Sequence, residues 1–151
     1  MARLIKAFWF LSLLTGLVVL LYVYAGLPEQ VTYKLGEGGA SISEIGKEAF
    51  FYISLAALVV ANFSLYTVSR SLRYKRASTN HLMTNWQLSL AGLFNFFFIV
   101  AWSFISVINS GENFDYDYLG YLIYIALGFI VIWILAFPIL LLRHLSSPEK
   151  E

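Results

Sequence analysis

Four long apolar stretches dominate the chain and decide its predicted secondary structure. No charged side chain occurs within any of them. A helix rises 1.5 Å per residue, so about 20 apolar residues cross a hydrocarbon core of about 30 Å. Each stretch is long enough, and none shows the polar face that a helix of a soluble bundle presents every 3.6 residues. The pattern predicts four transmembrane helices, at about residues 7–25, 49–69, 88–108 and 118–142.

The first connector between these stretches, residues 26–46, has a pattern of its own. Val31, Tyr33 and Leu35 alternate with polar residues, as in a short β-strand. A glycine-rich turn follows at residues 36–39, and residues 41–45 can return as a second strand. We therefore expect a small hairpin on one face of the membrane, and otherwise an all-α integral membrane fold with four helices in a bundle.

The composition agrees with the pattern and excludes several classes of protein. Hydrophobic residues make up 60% of the chain and charged residues only 13%, against about 25% in a typical soluble domain. This excludes a disordered chain and argues strongly against a water-soluble enzyme. The 151 residues form a single membrane domain, residues 1–151. The lack of cysteine excludes disulfides and thiolate metal sites, and the net charge of +1 gives no reason to expect nucleic acid as a partner.

The uneven distribution of charge predicts the orientation of the helices. Eight of the ten basic residues lie in the N-terminal segment, in the C-terminal segment or in the connector between the second and third stretches. The positive-inside rule places these segments in the cytoplasm, so both termini are cytoplasmic and the hairpin is not. We expect the protein in a bacterial cytoplasmic (inner) membrane.

The basic connector contains a patch of four cations. The simplest interpretation is that the patch only sets the topology. The alternative is that it attracts anionic lipid or a regulator, at about 1 kcal/mol per basic residue near the membrane surface. The patch consists of Arg70, Arg73, Lys75 and Arg76.

No ionisable side chain lies within the predicted spans. Pumps and proton-coupled carriers depend on such groups, and a membrane haem needs axial ligands inside the bundle. Both histidines, His81 and His144, lie outside the apolar stretches. We therefore expect no cofactor and no metal.

Amides and hydroxyls are the polar groups inside the spans, and two asparagines stand out. An unpaired amide in hydrocarbon costs a few kcal/mol, so Asn62 and Asn95 should each face another helix. They can bind helices together, or they can line a ligand cavity together with Ser103 and Ser106.

Small residues mark a predicted helix-packing seam. In lipid, small side chains let helix backbones approach closely, and the same seam could instead bind a partner helix. The seam consists of Ser54, Ala57, Ala61 and Ser64 on the second stretch and Gly120 and Gly128 on the fourth.

One segment resembles a known family. It contains Leu27-Pro28-x-x-Val31, the glycine turn Gly38-Gly39, and Lys47 followed by Phe50-Phe51. Over residues 22–60 it resembles the extracytoplasmic loop and second span of the SdpI-like bacterial membrane proteins, which share a domain of unknown function. Lys34 stands where members of that family usually carry histidine. The name-giving member acts in toxin immunity and signalling, so the resemblance implies a function of that kind.

Motifs for catalysis are absent from the sequence: no activated nucleophile, base or metal ligand set can be named. We therefore expect a non-enzymatic multi-pass membrane protein that works through protein contacts, as an accessory subunit or as an envelope stress or immunity factor. Its expected partners are the lipid bilayer and either another membrane protein or a second copy. The alternatives are a small oligomeric channel or carrier with an amide- and hydroxyl-lined path, and a subunit that binds a hydrophobic cofactor such as quinone or lipid.

Overall fold

The computed structural model of the protein describes residues 2–36, 41–73, 76–111 and 116–146. Four long helices are joined in sequence, with two short strands between the first and the second. All four helices are long and apolar enough to cross a membrane, which confirms that part of the prediction. The elements are α1 (Ala2–Gly26), β1 (Gln30–Leu35), β2 (Ser41–Gly46), α2 (Lys47–Ser71), α3 (Ala77–Ile108) and α4 (Tyr116–Ser146).

The helices extend beyond the apolar stretches, most clearly at the start of α3. This helix begins at Ala77, whereas the apolar stretch begins at Leu88. Hydropathy marks only the part of a helix that suits hydrocarbon, and the preceding polar residues continue the same helix outside it. At the other connector, α1 ends at Gly26, just before Pro28, which has no N–H to continue a helix.

The central element of the fold is α3, which packs against each of the other three helices. The helices α1 and α2 also contact each other, whereas α4 makes its main contact with α3. The chain therefore forms a three-helix unit, α1–α2–α3, with α4 attached along one side of α3.

The hydrophobic core lies at the hairpin end of the three-helix unit. Its members are buried residues of α1, the following segment, β1, α2 and α3: Leu20, Val23, Leu27, Val31, Leu58 and Trp102. Many large apolar side chains of α1, α2 and α4 are exposed, whereas on α3 Phe96 is the exposed one among the described residues. Such wide apolar surfaces are uncommon on soluble monomers but suit a protein whose surroundings are lipid.

The predicted hairpin is present, with β1 and β2 paired antiparallel. Val31 pairs with Ile45, and Leu35 pairs with Ser41. Between these pairs the register shifts twice, which leaves Tyr33 and Ile42 without a cross-strand partner. The residues of the turn, 37–40, lie outside the described part of the chain.

The predicted packing seam on α2 is buried only in part within the chain, and its use by a partner helix stays a prediction. The buried residues of α2 are Ser54, Leu58, Asn62 and Ser69. Ala61 is half-buried, and both Ala57 and Ser64 are exposed. An amide in an apolar segment must find polar partners, so Asn62, which bonds to Trp9 and Asn95, decides which face of α2 turns inward.

The predicted glycines of α4 are not the glycines that another helix approaches closely. A Cβ atom built at Gly120 or Gly128 would meet nothing within 4 Å. A Cβ atom at Gly92 of α3 would instead overlap the ring of Phe8 on α1. The tight helix contact is therefore between α1 and α3.

Candidate functional site

The two asparagines within the apolar stretches meet each other. Asn62 of α2 donates from Nδ2 to Oδ1 of Asn95 at 2.6 Å, and Asn95 of α3 donates from Nδ2 to Oδ1 of Asn62 at 3.2 Å. Asn95 is fully buried and Asn62 is 4% exposed. The two amides thus form a reciprocal pair that joins α2 to α3.

Two residues of α1 complete this pair. Trp9 donates from Nε1 to Oδ1 of Asn62 at 2.8 Å. Asn95 donates from Nδ2 to Oγ of Ser12 at 3.0 Å, and that hydroxyl donates to the carbonyl of Trp9 at 2.8 Å. Asn62 also donates to the carbonyl of Leu58, one turn earlier on α2, at 2.9 Å. We call Trp9, Ser12, Asn62 and Asn95 the amide network.

The sequence reasoning found the two asparagines but missed their partners on α1. A signal for Trp9 was available: an indole N–H in an apolar segment needs an acceptor, and Ser12 lies one turn away on the same helix face. The predicted companions Ser103 and Ser106 are half-buried further along α3 and are not partners in the network.

The chemistry of the amide network is structural. It contains no ionisable group, so it offers neither an acid nor a base for catalysis. Hydrogen bonds between membrane helices each contribute about 0.6–2 kcal/mol, and here several of them join three helices at one level. The network therefore accounts for the association of α1, α2 and α3 through polar contacts.

An open, basic cavity of about 350 Å³ lies beside the network, where α1 and α3 begin and α2 ends. The basic side chains of Lys6, Arg70, Arg73 and His81 line it, and none of the described lining residues carries a carboxylate. Two members of the predicted basic patch thus line a defined space. Arg76 is exposed outside that lining, and Lys75 lies outside the described residues.

Aromatic rings form part of the wall of this basic cavity. Trp9 and Tyr66 stack with centroids 5.4 Å apart and an interplanar angle of 10°. The guanidinium of Arg70 lies 5.5 Å from the Tyr66 ring centroid, and its Nε and Nη2 donate to the Tyr66 hydroxyl at 3.3 and 3.2 Å. The amide network fixes the position of the Trp9 indole. Because Trp9 stacks on Tyr66, and Tyr66 contacts Arg70, the network also helps to position these two side chains in the cavity wall.

Two apolar grooves run along the outside of α1. The first has a volume of about 260 Å³, lies between α1 and α2, and is lined by residues that include Leu13, Leu17 and Val59. Trp9 and Tyr66 line both this groove and the basic cavity. The second has a volume of about 500 Å³ and is lined by residues of α1, α3 and α4.

At the opposite end of the molecule, Asn109, which follows the last residue of α3, forms hydrogen bonds to the hairpin. Asn109 accepts a hydrogen bond from the backbone N–H of Thr32 at 2.8 Å and donates to the carbonyl of Thr32 at 2.9 Å. Its Nδ2 also donates to the carbonyl of Ile105 at 2.8 Å. Val31, next to Thr32, is fully buried in the core. The sequence reasoning missed Asn109, which pairs with β1 as another strand would.

The contact between α3 and α4 is of a different kind. Trp86 and Phe137 lie with ring centroids 4.1 Å apart. Within the described residues, several buried polar atoms of these two helices have no hydrogen-bond partner: Thr79 Oγ1, Trp86 Nε1, Gln87 Oε1 and Trp133 Nε1. The ring contact of Trp86 with Phe137 is therefore the side-chain contact between α3 and α4 that can be named among the described residues.

Metal ligands do not cluster in the described part of the chain, where no group of three His, Cys, Asp or Glu side chains occurs. No protein-family model, curated protein or solved structure matches the chain. The function is therefore argued from the hairpin, the amide network and the basic cavity.

Proposed function

We propose that the chain is a non-enzymatic multi-pass membrane protein that works through protein contacts, with the β1–β2 hairpin as its recognition surface. In this proposal all four helices cross the cytoplasmic membrane of a bacterium, and both termini are cytoplasmic. The partner is another membrane or envelope protein, or a second copy of the chain.

The distribution of charge over the folded chain supports the proposed orientation. Lys6, Arg70 and Arg73 lie together at one end, around the basic cavity. Glu48 lies in the first turn of α2 at the hairpin end, and at 1.5 Å per residue it is about 33 Å from Arg70 along the helix. A concentration of Lys and Arg at the cytoplasmic end is what the positive-inside rule requires.

The observation that carries the recognition proposal is the combination of a fixed hairpin base with exposed apolar side chains. Asn109 and Val31 attach β1 to the bundle. Tyr33 and Ile42, which the register shifts leave unpaired, are 52% and 58% exposed. Bulges commonly re-aim a side chain, and a rigid support reduces the entropy lost on binding.

The test is site-specific photo-crosslinking in native membranes. A photoreactive phenylalanine analogue replaces Tyr33, and the matched control replaces Tyr52, which is 64% exposed on α2. We expect a discrete protein adduct from position 33 and lipid adducts alone from position 52. Adducts of equal pattern at both positions, or no protein adduct at position 33, would contradict the proposal.

A second candidate function is the binding of a hydrophobic cofactor such as quinone or lipid. The groove of about 500 Å³ between α1, α3 and α4 favours it, because its lining is almost wholly apolar. The oligomeric channel has less support, since Asn62 and Asn95 direct their amide groups at each other, at Trp9 and at Ser12. Membership of the SdpI-like proteins stays a prediction; Lys34, at the departure from that pattern, is exposed on β1.

A further inference from the structure

The basic cavity and the adjoining groove between α1 and α2 have complementary linings. The cavity presents the cationic groups of Lys6, Arg70 and Arg73 and no carboxylate. The groove is almost entirely apolar. The stacked rings of Trp9 and Tyr66 belong to both, so the polar and the apolar space meet at these two side chains.

We propose that this composite surface binds one anionic phospholipid, with its phosphate group in the basic cavity and an acyl chain in the groove. The site rests on the proposed insertion into a membrane and is independent of the hairpin. It differs from a diffuse attraction between the basic patch and the membrane surface, because only some of the cations line it.

The cations of the cavity suit a phosphate ester. Arg70 uses Nε and Nη2 on the Tyr66 hydroxyl, which holds its guanidinium at the cavity wall before any ligand binds. A positioned guanidinium forms short, charge-assisted hydrogen bonds to phosphate oxygens. Asn80 and His81, within the first two turns of α3, add polar lining near the positive end of that helix.

Among the residues that the structure describes, Glu48 is the one acidic residue of α2, and it is remote from the cavity. Glu48 lies about 33 Å from Arg70 along α2, several times the Debye length of about 8 Å at physiological ionic strength. An anionic ligand would therefore compensate the charge of the cavity directly.

The groove is the reason for proposing a lipid and not a soluble phosphate as the ligand. It extends from Trp9 to Leu17 along α1, a rise of about 12 Å, which matches a substantial part of an acyl chain. The aromatic stack between cavity and groove would lie at the level of the headgroups, where tryptophan and tyrosine are enriched in membrane proteins.

The headgroup part of the site is tested with the full chain purified in a neutral detergent. Binding of phosphatidylglycerol is compared with that of phosphatidylcholine carrying the same acyl chains, by native mass spectrometry and by thermal stabilisation. Arg73→Gln removes a cation that lines the cavity, and Arg76→Gln removes one from the same connector that does not. We expect Arg73→Gln to weaken phosphatidylglycerol binding about fivefold and Arg76→Gln to change it less than about twofold. Equal effects of both substitutions, or equal binding of the two lipids, would overturn the proposal.

The acyl-chain part is tested by filling the groove. Val59→Trp places a bulky side chain in it, and Val60→Trp is the matched control, because Val60 is exposed but does not line the groove. We expect Val59→Trp alone to weaken phosphatidylglycerol binding. If millimolar inorganic phosphate stabilises the protein as well as the lipid does, and Val59→Trp has no effect, the ligand is free phosphate and the lipid assignment is wrong.

The outcome is separable from that of the proposed function. A chain that reconstitutes into vesicles and yields the Tyr33 adduct, but does not prefer phosphatidylglycerol, refutes only the lipid site. A chain that stays soluble without detergent refutes the membrane assignment itself.

Discussion

Two helix contacts in this molecule differ in the side-chain interactions that form them. One is the junction of α1, α2 and α3, and the other is the contact between α3 and α4. In the first, Trp9, Ser12, Asn62 and Asn95 satisfy one another through hydrogen bonds. In the second, aromatic rings pack together, and polar atoms such as Gln87 Oε1 have no partner within the described residues.

The difference matters because apolar surface provides little driving force for association where the solvent is lipid. A helix held by interhelical hydrogen bonds is tied to defined partners, whereas a helix held by shape alone can exchange its neighbours more easily. We therefore expect α1, α2 and α3 to behave as one rigid unit and α4 to be the helix that adjusts most readily to a partner.

The largest expected effect is that of breaking the amide pair. Asn95→Leu leaves the Asn62 amide buried without its partner, and we expect a loss of about 2 kcal/mol in the free energy of unfolding. Reversible unfolding in mixed micelles measures this quantity. Ser103→Ala, on the same helix but outside the network, should change it by less than about 0.5 kcal/mol.

The double variant Asn62→Leu/Asn95→Leu sharpens this test. Since it removes both amides, neither leaves the other unpaired, and only the Trp9 indole N–H loses its acceptor. Its cost should therefore be well below the sum of the two single costs. Additive costs would show that the two amides act independently.

The next prediction compares the packing around a glycine of α3 with that around a glycine of α4. Gly92→Ala brings a Cβ atom against the Phe8 ring between α1 and α3, and overpacking of this kind costs about 1–3 kcal/mol. We expect the lower end, because Phe8 is half-exposed and its ring can shift. Gly128→Ala on α4 meets open space and should be neutral or slightly stabilising, since alanine has the higher helix propensity. The measurement is the melting temperature of each variant in the same detergent. It should fall for Gly92→Ala and should stay the same or rise slightly for Gly128→Ala.

The smallest effect concerns the indole N–H groups. Trp9→Phe removes the donor to Asn62 and should lower the free energy of unfolding by about 1 kcal/mol. Trp133→Phe removes a buried N–H that has no partner in the described part of the chain, so it should be nearly neutral. A larger loss for Trp133→Phe than for Trp9→Phe would show that the α3–α4 contact depends on hydrogen bonding after all.

Part of the site could be predicted from the sequence, because the sequence shows which polar groups lie in apolar stretches and would be costly to leave unpaired. An amide in an apolar stretch must find a partner, which identified Asn62 and Asn95 as facing other helices. Their partners Trp9 and Ser12 were not identified. Aromatic and hydroxyl side chains are common in such stretches and can have several different roles there. Asn109 was missed because it lies just beyond α3, where polar side chains are ordinary.

The small-residue seam shows the limit of spacing arguments. Ser54, Ala57, Ala61 and Ser64 follow a helical spacing, yet the structure buries Ser54 on the face of Leu58 and Asn62 and leaves Ala57 and Ser64 exposed. Small side chains permit close approach without requiring it, so their spacing alone does not decide which face of a helix turns inward.

The sequence by itself determined the four apolar helices, the hairpin between the first two and the separation of charge between the ends. These features depend on local composition and on chain length measured against a hydrocarbon core. The tertiary structure alone decided that α3 is the central helix, that α1 closes the amide network, and that Arg70 and Arg73 line a cavity with Lys6. Those features bring together residues far apart along the chain, and the rotation of each helix that permits them is set by mutual packing, which no single segment encodes.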